Sequence, residues 1–207
     1  MIVSMIRTCL RAFVLTAWTF VLPLAQAQQP TLQRFFAKLA TDPKGSGLGK
    51  TATVGSPTGY EYRDWRKEGG LLVGFDLWKG NFQDHMLVVC GVRPIYMTAK
   101  GKVRGKLYGS GSGTSTPITI EGRDGFAVAG IEVKGGDRMD QLRVVFMKYS
   151  YTEFNLLADG MYKSEWFGGK GGRKERRFIP GQKPVVGIFG GSGSELDRLG
   201  LLYMESK

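Results

Sequence analysis

The chain has 207 residues and carries 29 lysines and arginines against 18 acids, a net charge of +11. With one histidine and two cysteines it lacks the ligands for most zinc sites. Cys9 lies within the N-terminal segment 1–27, whose predicted cleavage leaves only Cys90, so an internal disulfide is not expected. A basic surface attracts polyanions such as acidic polysaccharides or anionic lipids, although the charge can also simply serve solubility.

Residues 1–27 have the pattern of a secretory signal peptide. Arg7 and Arg11 form a basic region, Ala12–Leu24 is an apolar stretch, and Ala25–Ala27 is a small-x-small cleavage site. Cleavage removes two arginines and no acid, which lowers the net charge from +11 to +9. We therefore expect a secreted, periplasmic or envelope protein that does not span the membrane and does not bind nucleic acid. An uncleaved anchor is the alternative.

Residues 28–59 differ in composition from the rest of the chain. Thr31 to Leu39 has apolar residues at helical spacing, with Thr31 as the predicted N-cap. Small polar residues and glycines follow up to Gly59. This segment is predicted to be a short helix followed by a flexible linker.

From Tyr60 onward the sequence consists of short β-rich runs that are broken by glycine. Ile118 and Ile120, and likewise Ile131 and Val133, alternate with polar residues, which is typical of half-buried strands. No long helical periodicity is present. The pattern predicts an all-β domain over residues 60–205 with roughly a dozen short strands.

A pattern recurs three times in this domain, at spacings of 56 and 57 residues. Each copy has an apolar run around a glycine, a second glycine six residues later, and an aspartate four residues after that. The central glycines are Gly74, Gly130 and Gly187, the later glycines are Gly80, Gly136 and Gly193, and the aspartates are Asp84, Asp140 and Asp197. Three equivalent β units around an axis are predicted. A first copy with a loop about five residues longer is the alternative register, and Asp84 would then match only by accident.

Cys90 ends an apolar run and is predicted to be a small buried residue. His85 lies five residues before it, so on a strand the two side chains would point to opposite faces. This spacing argues against catalysis by a cysteine–histidine pair.

The segment from Lys183 to Tyr203 resembles the C-terminal signature of the jacalin-related lectins. It contains a strand that ends in Gly-apolar, a Gly-Ser-Gly turn, a Gly-x-x-x-Asp loop and a strand that opens with apolar-Gly. Trp166–Gly172 resembles the aromatic-Gly-Gly segment of that family, and Gly69-Gly70 resembles its opening glycine pair. The resemblance implies a β-prism of three Greek-key four-stranded units with pseudo-threefold symmetry. Phe189, Gly190 and Gly191 depart from the family, which often has polar or basic residues there.

The resemblance also implies a sugar site that needs no metal or other cofactor. One carboxylate can accept hydrogen bonds from two sugar hydroxyls, and its side chain is expected to face solvent at the rim. The implied carbohydrate-binding residues are Gly193, Ser194, Glu195, Leu196 and Asp197, together with Gly69 and Gly70. A second candidate site consists of Gly136, Asp137, Arg138, Met139 and Asp140, beside the loop 168–172. The copy at Gly80–Asp84 is the weakest.

Each of these aspartates can also be an ordinary turn residue that bonds its own backbone. Glu165 and Glu195 invite a glycosidase interpretation, but no other catalytic signature accompanies them. We therefore expect an exported, non-catalytic lectin that binds a hexose-containing or acidic polysaccharide and can oligomerise. The alternative is a basic envelope or adhesion module with the same fold and no sugar pocket.

Overall fold

The computed structural model describes residues 24–41, 44–82, 86–111, 116–172 and 174–205. The predicted signal peptide lies almost entirely outside these ranges, as do Asp84 and His85. Within the described ranges, no helix is long and apolar enough to cross a bilayer.

The described residues form one helix and fifteen strands. They are α1 (Leu24–Leu39), β1 (Leu48–Lys50), β2 (Val54–Gly55), β3 (Tyr60–Trp65), β4 (Leu71–Phe82), β5 (Met86–Thr98), β6 (Gly101–Arg104), β7 (Tyr108–Gly109), β8 (Ile118–Glu121), β9 (Phe126–Gly135), β10 (Met139–Ser150), β11 (Asn155–Lys163), β12 (Phe167–Gly168), β13 (Glu175–Phe178), β14 (Val185–Ser192) and β15 (Leu196–Met204).

The strands form three antiparallel sheets that share one plan. In each sheet a hairpin of two long strands carries a short strand on one side and a strand in two pieces on the other. The first sheet has the order β6/β7-β5-β4-β8, the second β11/β12-β10-β9-β13, and the third β1/β2-β15-β14-β3. The predicted all-β prism of three four-stranded units is thereby confirmed.

The repeated glycines Gly74, Gly130 and Gly187 occupy equivalent positions in the three hairpins. In each hairpin the residue directly before the glycine is skipped in the pairing, which makes a β-bulge. A Cβ atom on any of the three glycines would collide with the backbone of the short fourth strand beside it. Close approach of that strand therefore explains why the sequence repeats a glycine here.

The core lies between the three sheets. Alternating strand residues such as Phe75, Ile131 and Ile188 are fully buried in it, and each sheet contributes. A second apolar cluster closes the end of the prism where the three bulges lie. There Phe35, Phe36 and Leu39 of α1 are each 1% exposed. We call this the helix end, and the opposite end, where the hairpins turn, the hairpin end.

Two N-terminal boundaries differ from the sequence prediction. The helix begins at Leu24 rather than at Thr31, so Thr31 lies inside the helix and is not its N-cap. Residues 48–50 and 54–55, which were assigned to a linker, pair with β15. They supply the two-piece strand of the third sheet, so the prism includes residues before Tyr60.

Candidate functional site

A second bulge marks each hairpin near its turn. The skipped residues are Asp140 between β9 and β10, Asp197 between β14 and β15, and Cys90 between β4 and β5. The structural counterpart of the two aspartates in the first copy is therefore Cys90 and not Asp84. The first hairpin is six residues longer, so the gap-free match of Asp84 in the sequence repeat was accidental.

The carbonyl group of each bulged residue binds the loop that follows the outer two-piece strand. Amides of Ser56, Ser110 and Gly169 donate to the carbonyl oxygens of Asp197, Cys90 and Asp140 at 3.0, 2.9 and 2.8 Å. The residue before each amide is a glycine with φ of +110°, +81° and +132° in turn, at Gly55, Gly109 and Gly168. A Cβ atom on any of these three glycines would overlap the same carbonyl oxygen.

The turns themselves are small and tightly closed. Gly193 donates to the carbonyl of Glu195 at 2.9 Å, and Gly136 donates to the carbonyl of Arg138 at 3.1 Å. The following residues, Leu196 and Met139, are 2% and 1% exposed. Their side chains belong to the core, so of these two predicted site residues only the backbone could contact a ligand.

Asp197 is enclosed by protein groups. Its Oδ1 accepts from Thr58 Oγ1 at 2.9 Å and lies 3.3 Å from Nη1 of Arg138, which also approaches Glu195 at 3.6 Å. The Asp197 side chain is 12% exposed. The expectation that this carboxylate faces solvent at the rim is therefore wrong, because Arg138 of the second hairpin reaches over it.

Asp140 is more open than Asp197. Among the residues that the structure describes, no side chain or amide donates to its carboxylate, and it forms no ion pair. Partial burial raises the pKa of its carboxyl above the ordinary value. A Cβ atom on Gly171 would lie 3.0 Å from Oδ1, so the loop 168–172 stands directly beside the carboxylate. The carboxylate of Asp140 is therefore a hydrogen-bond acceptor that lies next to the glycine-rich loop 168–172.

The glycine pair Gly69-Gly70 lies elsewhere, which corrects the predicted partner of Asp197. Gly69 packs on the backbone of Phe36 and Ala40, and Gly70 packs on Arg66. The pair joins β3 to β4 at the helix end, whereas the loop that contacts Asp197 is 56–59.

The loop beside Asp197 belongs to a glycine pattern that the sequence repeats. A Gly-x-x-x-Gly motif occurs at the same place in each copy, at Gly55–Gly59, Gly109–Gly113 and Gly168–Gly172. Each motif begins in the two-piece outer strand of its sheet. The same motif also occurs elsewhere, for example at Gly70–Gly74 and Gly187–Gly191, so it does not by itself distinguish 55–59 from 69–70 as the loop of the third site.

The first hairpin has no acidic group at the equivalent position. Cys90 is 2% exposed, packs with Trp78 and Val88, and directs its Sγ toward the carbonyl oxygen of Ser110 at 3.7 Å. Burial raises the pKa of its thiol. The prediction of a small buried cysteine is confirmed, and this position offers a ligand no carboxylate.

Several solved lectin structures superpose on this chain. A mannose-specific jacalin-related lectin from Morus nigra, solved in complex with mannose, superposes with a TM-score of 0.56 at 14% identity, covering 80% of this chain and 99% of that one. A mannose-binding jacalin-related lectin from Ananas comosus gives 0.55 at 17% identity, covering 78% and 100%. Malaysian banana lectin gives 0.55 at 16% identity, covering 77% and 100%.

The chain has the β-prism fold of the jacalin-related lectins. The covered share means that a whole lectin domain is matched. No protein-family model and no curated protein matches the sequence.

Proposed function

We propose that this protein is an exported, non-catalytic lectin that binds a hexose through the ionised carboxylate of Asp140. The observation that carries the proposal is the open Asp140 carboxylate beside the loop 168–172, at the hairpin end of a jacalin-like prism. A carboxylate there can accept from two hydroxyls of one hexose, and such charge-assisted bonds are the stronger class. No metal takes part in this mode of binding.

We expect Asp197 to contribute less to sugar binding than Asp140 does. Its Oδ1 is already engaged by Thr58 and Arg138, so a sugar at the third hairpin must share or displace these donors. The residues Gly193–Leu196 then serve mainly as a turn. This reverses the order of the two sites that the sequence suggests.

Export is part of the proposal. Cleavage after Ala27 removes the first residues of α1. It leaves Phe35, Phe36 and Leu39, which pack the helix against the prism. The mature N-terminus is expected near Gln28. N-terminal sequencing of the native protein tests this, and recovery of Met1 contradicts it.

A glycan array with the mature protein at low and high salt tests the binding itself. The parent should bind a neutral hexose with little dependence on salt, since no ion pair forms with the ligand. Asp140→Asn should abolish that binding, because each lost charged hydrogen bond costs about 1.5–3 kcal/mol. Asp159→Asn, an exposed aspartate on β11, is the matched control. Binding that is entirely salt-sensitive would favour the basic envelope module instead.

A further inference from the structure

Two residues after each repeated glycine, the hairpin strand directs a side chain away from the core. The residues at this position are Asp76 in the first sheet, Glu132 in the second and Phe189 in the third. Asp76 and Glu132 are each 1% exposed although they lie on the outer faces of their sheets. They are covered by the cationic side chains of neighbouring strands.

Glu132 is held by three cations from three strands. Its Oε1 accepts from Nε of Arg177 at 2.7 Å and from Nζ of Lys163 at 2.9 Å, while Arg143 binds Oε2. One carboxylate neutralises one of these three charges. Because the buried acid fixes one side of each cation, the remaining N–H groups of Arg177, whose side chain is 53% exposed, are held toward solvent.

Further positive charge lies beside this cluster. Nζ of Lys134 and Cζ of Arg143 each lie 4.4 Å from the ring of Trp166. Glu175, which lies 3.4 Å from Arg143, is the other acid that contacts the cluster among the described residues. Among the described residues, this cluster on the outer face of the second sheet therefore holds four cations, Lys134, Arg143, Lys163 and Arg177, against two acids.

At the equivalent place on the other two outer faces, the described residues do not bring three cations onto one buried acid. Asp76 accepts from Arg93 and Arg104, and its third hydrogen-bonding partner is the hydroxyl of Thr119 instead of a cation. On the third face Lys50 lies 5.2 Å from the ring of Phe189, and Arg63 and Arg198 lie around the same ring with Glu61 as the acid. Among the described residues, three cations converge on one buried acid only at Glu132 of the second sheet, which is also the sheet that carries Asp140.

We propose that the outer face of the second sheet is an anion-binding surface for the carboxylate or sulfate groups of an acidic polysaccharide. Guanidinium groups in fixed positions suit both anions because their N–H groups match the spacing of paired oxygens. The surface continues into the hairpin end, since Lys134 directly precedes Gly135, and Trp166 lies two residues before Gly168.

The assignment of the ligand to a polysaccharide rests on the proposed function, whereas anion binding at this face does not. If a polysaccharide binds with one hexose at Asp140, its neighbouring acidic units would lie along the cations of the second sheet. Gln141 ties the two regions together, because its side-chain amide donates to the carbonyl of Gly169 from the same outer face.

The test uses a matched pair of variants, Arg177→Gln and Arg104→Gln. Both side chains are about half exposed, at 53% and 54%, and each binds through Nε to an acid that is 1% exposed. Each variant leaves two other partners on that acid. Thermal melting should therefore show similar, small changes for both, which separates binding from folding.

Binding is measured by calorimetry with a heparin hexasaccharide, a hexagalacturonate and a neutral mannohexaose. Arg177→Gln should weaken the two acidic probes about tenfold, as expected for one charged hydrogen bond, and Arg104→Gln should change them less than about twofold. Equal losses in both variants, or no binding of either acidic probe to the parent, would overturn the proposal. Arg177-dependent binding to vesicles with 30% phosphatidylglycerol, without oligosaccharide binding, would also overturn it and assign the surface to lipid headgroups.

Asp140→Asn separates the two proposals. It should remove the response to neutral hexose while the affinity for heparin hexasaccharide stays within about threefold of the parent, because Arg177 and Lys163 are unchanged. If the parent does not bind a neutral sugar, the lectin site alone is refuted. If Arg177→Gln binds the acidic probes as tightly as the parent does, the anion surface alone is refuted.

Discussion

Nη1 of Arg138 lies 3.3 Å from Oδ1 of Asp197, so a side chain from the second hairpin forms an ion pair with the carboxylate of the third hairpin. Thr58 donates to the same oxygen at 2.9 Å. Asp140 occupies the equivalent position in the second hairpin without such partners in the part of the chain that the structure describes. Two sites that look alike in the sequence repeat are therefore electrostatically different.

Asp197→Asn should affect stability more than sugar binding. The substitution weakens the hydrogen bonds from Thr58 and Arg138, and it should lower the free energy of unfolding by about 1–3 kcal/mol. The affinity for neutral hexose should change less than about twofold. Urea unfolding and calorimetry on the same sample check both, and loss of sugar binding with unchanged stability would show that Asp197 is the main site.

Phe36→Ala should strongly destabilise the protein. Phe36 is 1% exposed and packs α1 against the helix end of all three sheets, so its truncation leaves a cavity. The expected loss is about 3–5 kcal/mol. Arg34→Ala, an exposed position on the same helix, is the control and should change stability by less than about 0.5 kcal/mol. Similar denaturation midpoints for the two variants would mean that α1 does not close the prism in solution.

Gly130→Ala should be costly because the new Cβ would lie 2.7 Å from the carbonyl oxygen of Phe178 and closer still to Ile179. Overpacking of this kind typically costs about 1–3 kcal/mol. Gly136→Ala, where a Cβ meets nothing within 4 Å, serves as the stability control. Thermal denaturation of both variants checks the prediction, and equal melting temperatures would contradict the close approach of β13 to β9.

The sequence predicted the threefold architecture because its glycines are required by backbone contacts that recur in every sheet. It did not predict the partner loop of the third site, since Gly69-Gly70 and Gly55–Gly59 both look like glycine turns. Only the pairing of β2 with β15 shows which one reaches Asp197. The ion pair between Arg138 and Asp197 was not predictable either, because it depends on how two hairpins pack together and the two residues are 59 positions apart in sequence.

Acid should weaken the protein partly through Glu132. Burial raises the pKa of this carboxyl, but hydrogen bonds from Lys163, Arg143 and Arg177 outweigh it and lower the pKa to about 2 from an ordinary 4.5. A group whose pKa is lower in the folded state stabilises the fold above its unfolded pKa. That contribution is lost as the pH falls from about 4.5 toward about 2.

Glu132→Gln should therefore destabilise the protein at pH 7 and much less at pH 2.5. Urea unfolding of the parent and the variant at both pH values measures the difference. A difference in unfolding free energy that does not depend on pH would show that the ionised carboxylate of Glu132 is not stabilised by the three cations.

The most direct measurement of the central claim is a titration of ¹⁵N-labelled mature protein with mannose, followed by amide chemical shifts. The account predicts that the perturbed amides cluster at residues 136–141 and 168–172, with weaker changes at 56–59 and 193–197. A saturable perturbation confined to other regions, or no perturbation by mannose or any other neutral hexose at millimolar concentration, would contradict a lectin site at Asp140.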